Sequence, residues 1–251
     1  MLPRPLPPEI LDLIVDHLHD EPTTLNACCL APKSWVPRVR RHIFALVDFK
    51  SATCLGLWMK AFPDPSNSPA HYARNLSLFN IRTARAGTTG AHPWLHSFNR
   101  VVVLRVTTLE TDDRQISFTR LHGLSPTLKS LHLLSASIPT TKALNFIYSF
   151  PLLEDLTLYS VSPPSDTDGW NAPPTSPKFT GLLFLTGGNR HITRRLLDLP
   201  GLHFSKIKVF CPTGDGDLVK ELVLLCSNTL ESLFIELYPG AFPAASAVDC
   251  T

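Results

Sequence analysis

Few of the side chains able to do chemistry are spaced for it in this 251-residue sequence. His17 and His19 form an H-x-H at the end of a helical stretch. Two residues apart on a helix they diverge, so they do not converge on one metal ion. Asp12 and Asp16 stand four apart and share a helix face. That face offers two carboxylates to a cation or a basic partner, and a solvated surface is the simpler reading. Thr213 to Leu218, "TGDGDL", opens like a calcium loop. The later ligands and the closing Glu are missing, so a turn and a capped helix account for it. "GTTG" at 87–90 is too short to cradle a phosphate, and no Gly-x-Ser-x-Gly elbow, phosphate loop or zinc helix occurs. The cysteines Cys28, Cys29, Cys54, Cys211, Cys226 and Cys250 form no C-x-x-C pair. They read as reduced thiols, several of them small core residues. The expectation is a chain without catalytic residues, cofactor or metal. A hydrolase-like α/β enzyme is the remote rival, and it would need a pocket of convergent titratable groups.

Composition narrows the class further. The net charge is +2, with 44% hydrophobic and 18% charged residues. A core can form, and the balance argues against a nucleic-acid binder, which concentrates basic charge. Arg38, Arg40 and Arg41 make the densest basic run and read as a solvated helix face. No window reaches the roughly 18 apolar residues of a membrane helix, so no membrane partner is expected. The start "MLPRPLPPEIL" lacks a leader's apolar run. A cytoplasmic or nuclear location follows as the expectation, which makes the sequon at Asn75-Leu76-Ser77 a chance match.

One short pattern recurs from residue 70 onward. Leu76-x-Leu78, Leu104-x-Val106, Leu131-x-Leu133, Leu156-x-Leu158, Leu183-x-Leu185, Ile207-x-Val209 and Leu233-x-Ile235 each place two aliphatics on one side of a strand. Their period, near 26 residues, lies in the range of leucine-rich repeats, about 20–29. Leu128, Leu153 and Leu230 add an apolar residue three positions earlier. Helical stretches lie between them, with Leu144, Ile147 and Tyr148, then Ile192, Leu196 and Leu199, then Leu218, Leu222 and Leu225 as their apolar sides. Asp217 can cap the last of these. The residue five after the first aliphatic is Ile81, Leu109, Ala136, Val161, Gly188, Pro212 or Tyr238, so a polar ladder there is excluded. An imperfect, irregular array is expected. The intervening residues Ser77, Arg105, His132, Thr157, Phe184, Lys208 and Phe234 must point away from that core and line an exposed face. "SPPSDTDGWNAPPTSP" at 162–177 interrupts the array as an exposed insertion holding Trp170, and the end "FPAASAVDCT" lacks a polar closing unit, so a truncated array is expected.

The first 46 residues read as three helices. Pro7 and Pro8 suit a helix lead-in, and Glu9 and Asp12 suit its positive end. Ile10, Ile14 and Leu18 repeat at four-residue spacing, Leu11 and Val15 form a second row, and Leu13 sits on a further side. Asp20, Glu21 and Pro22 end this helix. Thr23 or Thr24 caps the next, whose apolar side is Leu25, Cys28 and Cys29. Pro37 starts the third, with Val36, Val39, Ile43 and Phe44 buried. So small a helical unit holds little core alone and completes its packing against a partner. Residues 47–69 then read as a link: a helix capped by Ser51 with Leu55, Trp58, Met59 and Phe62 on one side, and a turn-rich loop.

Leu6-Pro7-Pro8-Glu9-Ile10-Leu11, the row to Leu18, Leu25 and Ser34-Trp35 resemble an F-box over residues 4–46. The match is most similar to the divergent F-boxes joined to leucine-rich-repeat-like regions in fungi. A proline-bearing turn with Pro37 beside Trp35 departs from the family's usual spacing. The resemblance implies an α/β chain: a three-helix F-box at 4–46, a linker helix and loop at 47–69, and an irregular leucine-rich-repeat-like solenoid with a parallel sheet at 70–251. A layered α/β fold with a parallel sheet is the alternative. The resemblance implies a substrate adaptor of a Skp–cullin–F-box ubiquitin ligase. Leu6, Pro7, Glu9, Ile10, Ile14, Leu18 and Trp35 would dock the Skp adaptor, and the repeat face would hold a target protein that the sequence does not identify. A protein-binding scaffold with no ligase link uses the same elements.

Overall fold

A computed structural model gives the structure of the protein and describes residues 7–30, 34–79, 93–107, 121, 124, 126–134, 140–159, 177–186, 189–198, 202–212 and 216–238. Leu6, the loop at 87–90, Trp170 and the C-terminal stretch lie outside the described residues, as do Leu199 and five of the seven positions of the expected ladder.

The fold is α/β, with eight parallel strands in a single sheet whose spatial order equals chain order. The strands are β1 (Leu46–Phe49), β2 (Asn75–Phe79), β3 (Val103–Thr107), β4 (Ser130–Leu134), β5 (Asp155–Tyr159), β6 (Leu182–Thr186), β7 (Lys206–Pro212) and β8 (Ser232–Tyr238). Each aliphatic-x-aliphatic motif lies on its strand in the same register, so Leu76, Leu104, Leu131 and Leu156 stand side by side. Period two puts them on one face, and from β2 to β7 that face is buried. Parallel neighbours require a return crossover. The described helices between strands include α4 (Ala52–Ala61), α5 (Pro93–His96), α6 (Thr140–Tyr148), α7 (Arg190–Leu197) and α8 (Gly216–Leu225). One continuous core runs from Val47 to Cys226.

A repeated backbone device sets the register. The carbonyl of Ala45 accepts the N–H groups of both Arg74 and Asn75, at 2.8 and 2.9 Å. Arg74, Val102, Lys129 and Ser205 do the same for the next pair of N–H groups, and Gly181 serves Ser205 and Lys206. Each strand therefore starts where the one before it dictates. The step into β6 differs: Gly181 N–H goes to Glu154 O, whereas Leu182 N–H goes to the Asp155 carboxylate at 2.6 Å.

Three expectations change. The segment 47–69 does more than link, because β1 pairs with β2 and α4 packs Leu55 and Trp58 on the common core. Its Val47-x-Phe49 is a repeat motif without leucine, which hid it. In α8 the buried side is Leu218, Val219 and Leu222, continuing to Cys226, while Leu225 is exposed; the inward stripe follows four-residue steps. A polar bridge does occur, one residue past the expected position: buried Asn189 donates to Leu158 O at 2.8 Å and Thr186 O at 2.6 Å.

Ahead of the sheet stand α1 (Pro8–His17), α2 (Pro22–Cys28) and α3 (Val36–Ile43). They share a separate small core of Val15, Leu25 and Val39, with Leu18, Cys28, Cys29, Trp35 and Ile43 packed against it. Pro22 opens α2, and Thr24 Oγ1 donates to Glu21 rather than capping a backbone N–H. Trp58, packed on the large core, meets Phe44 at the end of α3 edge-on at 5.8 Å and Phe49, Phe62 and Phe98 at 5.6, 4.9 and 5.9 Å. Among the described residues no helix is long and apolar enough to cross a membrane.

Candidate partner-binding surfaces

The first surface is the outer side of α1. Pro7 precedes the helix in extended backbone, and its carbonyl accepts from Ile10 and Leu11. Val15 faces the small core and is 1% exposed. The opposite side stays apolar and open: Ile10 is 43%, Leu13 56% and Ile14 39% exposed. Exposed Pro7 and Glu9 lie at the head of the same helix.

Two residues expected on that side are not on it. Leu18 and Trp35 are half-buried against Val15, Leu25 and Val39. Leu18 stands eight residues after Ile10, and at about 100° per residue this rotates it about 80° towards the inner row. Trp35 precedes α3 and is held in the crevice between the helices. Leu13, which its spacing sets on a further side of the helix, is the most exposed of the ridge.

On the face of α1 expected to be solvated, Asp12 is exposed, but Asp16 is taken up by basic residues of α3. Arg38 donates to Asp16 through both Nε, at 2.7 Å, and Nη2, and Asp16 Oδ1 stands 2.8 Å from His42 Nε2. Arg38 Nη1 lies 3.9 Å from Asp12. The Arg38 and His42 hydrogen bonds hold the Asp16 carboxyl far below the usual carboxylate range. The run Arg38, Arg40, Arg41 thus splits: Arg38 clamps α3 to α1, while Arg40 and Arg41 are exposed. His19 is occupied locally, bonded to Asp16 O and paired with Asp20. Among the described residues no group of three or more His, Cys, Asp or Glu could hold a metal ion.

The second surface is the sheet face opposite the helices. Strand register sets Asp48, Ser77, Arg105, His132, Thr157, Phe184, Lys208 and Phe234 in one row. These residues are not uniformly exposed. Ser77 and Thr157 are buried, because neighbours about 4.8 Å away carry taller side chains. Arg105, His132, Phe184 and Lys208 are half-buried, and Phe234 is exposed. His132 Nε2 lies 3.2 Å from Ser130 Oγ. Burial, with the Arg105 charge added, lowers the His132 pKa, and Asp155 opposes this.

At the β6–β8 end the row turns aromatic. Lys208 Nζ lies 5.8, 5.1 and 5.1 Å from the ring centres of Phe184, Phe210 and Phe234. Phe210 was missed in the sequence although it stands two residues after Lys208, which puts it on the same face. On the other side of β8, Leu233 and Ile235 are 44% and 41% exposed, against the expectation of burial, because β8 follows the last described helix and no described element covers it. No family model matches the chain, and none of the curated proteins matches it.

Proposed function

We propose that the chain is a substrate-recognition adaptor of a Skp–cullin–F-box ubiquitin ligase. On this reading α1–α3 are its F-box and the strand–helix units are an irregular leucine-rich-repeat-like solenoid. The observation that carries it is the open aliphatic ridge of Ile10, Leu13 and Ile14 on a helix whose other side is already sealed by Val15. Leaving three large aliphatics in water on one short helix is unfavourable by about 25 cal/mol per Å² of apolar surface, and a partner removes that cost. The Asp16–Arg38 clamp supports the same reading, since it fixes the helices without using the ridge. The sheet face would hold the target protein, and the chain would supply proximity to the ligase rather than chemistry. Leu18 and Trp35 then act from inside, by setting the ridge's angle.

Co-purification of the full chain with a Skp-type adaptor tests this. The double variant Ile10→Asp, Ile14→Asp changes only exposed positions, so its fold should persist by circular dichroism while capture drops at least ~10-fold. Undiminished capture by a folded double variant, or none by the wild type, would leave a scaffold without a ligase.

A further inference from the structure

On the sheet face, several polar side chains around Arg105 have no described partner. Among the described residues the Arg105 guanidinium makes no hydrogen bond or ion pair, and neither do the hydroxyls of Ser77 and Thr157. The Thr107 hydroxyl oxygen, two residues along β3 and on the same face, is buried without a partner. His132 stands between Arg105 and Thr157 in register, and its only described side-chain bond is to Ser130. A buried polar atom left unpaired is costly, as at the Thr107 hydroxyl, and a carboxylate satisfies several donors at once. Of the described carboxylates on this face, Asp155 accepts the Leu182 N–H through Oδ1, Asp48 stands two strands from Arg105 at the sheet edge, and Glu236 lies five strands away on β8.

We propose that Arg105 and His132, flanked by the Ser77 and Thr157 hydroxyls, seat a carboxylate of an extended acidic segment in a partner protein, with an apolar residue of that segment on Phe184. This rests on the sheet face being the target-holding surface, and it names the target's chemistry. Phe184 lies two strands from His132, about 10 Å. A segment in the extended polyproline II conformation covers that in three residues, at about 3.1 Å each, and with three residues per turn both side chains face the same side. The segment is therefore acidic-x-x-apolar, crossing the strands. Lys208, over the Phe184 and Phe234 rings, adds positive charge on the same side. Seating a carboxylate also favours protonated His132 against the burial and the Arg105 charge that disfavour it, so binding strengthens as pH falls.

The test is fluorescence anisotropy of the full chain with labelled Gly-Glu-Gly-Gly-Phe-Gly, its Gln form and its phosphoserine form. The Glu form should bind at least ~10-fold tighter than the Gln form. Arg105→Gln should erase that difference, and Arg105→Lys should keep part of it. Equal binding of Glu and Gln forms to the wild type, a preference unaffected by Arg105→Gln, or binding of the phosphoserine form alone would overturn the proposal. Adaptor capture is read in parallel. Arg105→Gln should leave it intact, so loss of the ligase reading and loss of this site give different results.

Discussion

Arg38 on the third helix holds Asp16 on the first through two donors of one guanidinium, with Nε 2.7 Å from Oδ1. A planar fork meeting a carboxylate fixes orientation as well as distance. The clamp spans 22 residues of sequence and closes over the small core of Val15, Leu25 and Val39.

This pair predicts an acid sensitivity. The folded-state pKa of Asp16 is depressed, so its contribution is present above the unfolded value of about 3.9 and is lost as pH falls through the folded one. With the Asp16 side chain 34% exposed, screening limits the effect to about 1 kcal/mol at pH 7. Amide exchange in α1 should speed up in Asp16→Asn at pH 7, and the gap from wild type should narrow towards pH 2.5. A gap independent of pH would mean that the carboxylate charge is irrelevant.

Trp58 joins the helical unit to the sheet through four aromatic neighbours, and its indole N–H is buried without an acceptor. Trp58→Ala removes the rings' common partner and should cost about 3 kcal/mol in chemical denaturation. Trp58→Phe keeps ring packing and relieves the unpaired N–H, so its cost should stay under about 1 kcal/mol. Equal losses in both variants would refute that role for the ring contacts.

Gly181 is fixed by the Asp155 carboxylate. A Cβ at 181 would stand 1.9 Å from Asp155 Oδ1, the oxygen that receives the Leu182 N–H. Gly181→Ala should displace that carboxylate and destabilise the β5–β6 junction by about 2 kcal/mol. In an Asp155→Ala background the same change should cost far less. A double-mutant cycle with no coupling would rule out this contact as the cause.

Thiol reactivity should rank by burial. Cys54 is exposed, Cys28 and Cys29 are intermediate, and Cys226 is buried with its pKa raised by that burial. Under iodoacetamide at pH 8, mapped by mass spectrometry, Cys54 should label first and Cys226 last among these four. Rapid labelling of Cys226 would contradict the packing of α8.

Much of this fold was legible in the residue order, and for a physical reason. Two aliphatics at period two, returning every 26 residues or so, can bury themselves only as strands of one layer, which is how β2 to β8 run. The helix starts at Pro8 and Ser51 were likewise local, set by a fixed φ in one case and a side-chain acceptor for Cys54 N–H in the other. Other features depend on partners far along the chain. Val47-x-Phe49 looked like a link until β2 paired with it. Asp16 looked solvated until α3 delivered Arg38 to it. Leu18 looked like part of the ridge until helix rotation turned it inward. Sequence spacing determined which side chains share a face, because that follows from backbone geometry. Only tertiary contact decided which faces were covered, because burial and pairing belong to two elements at once.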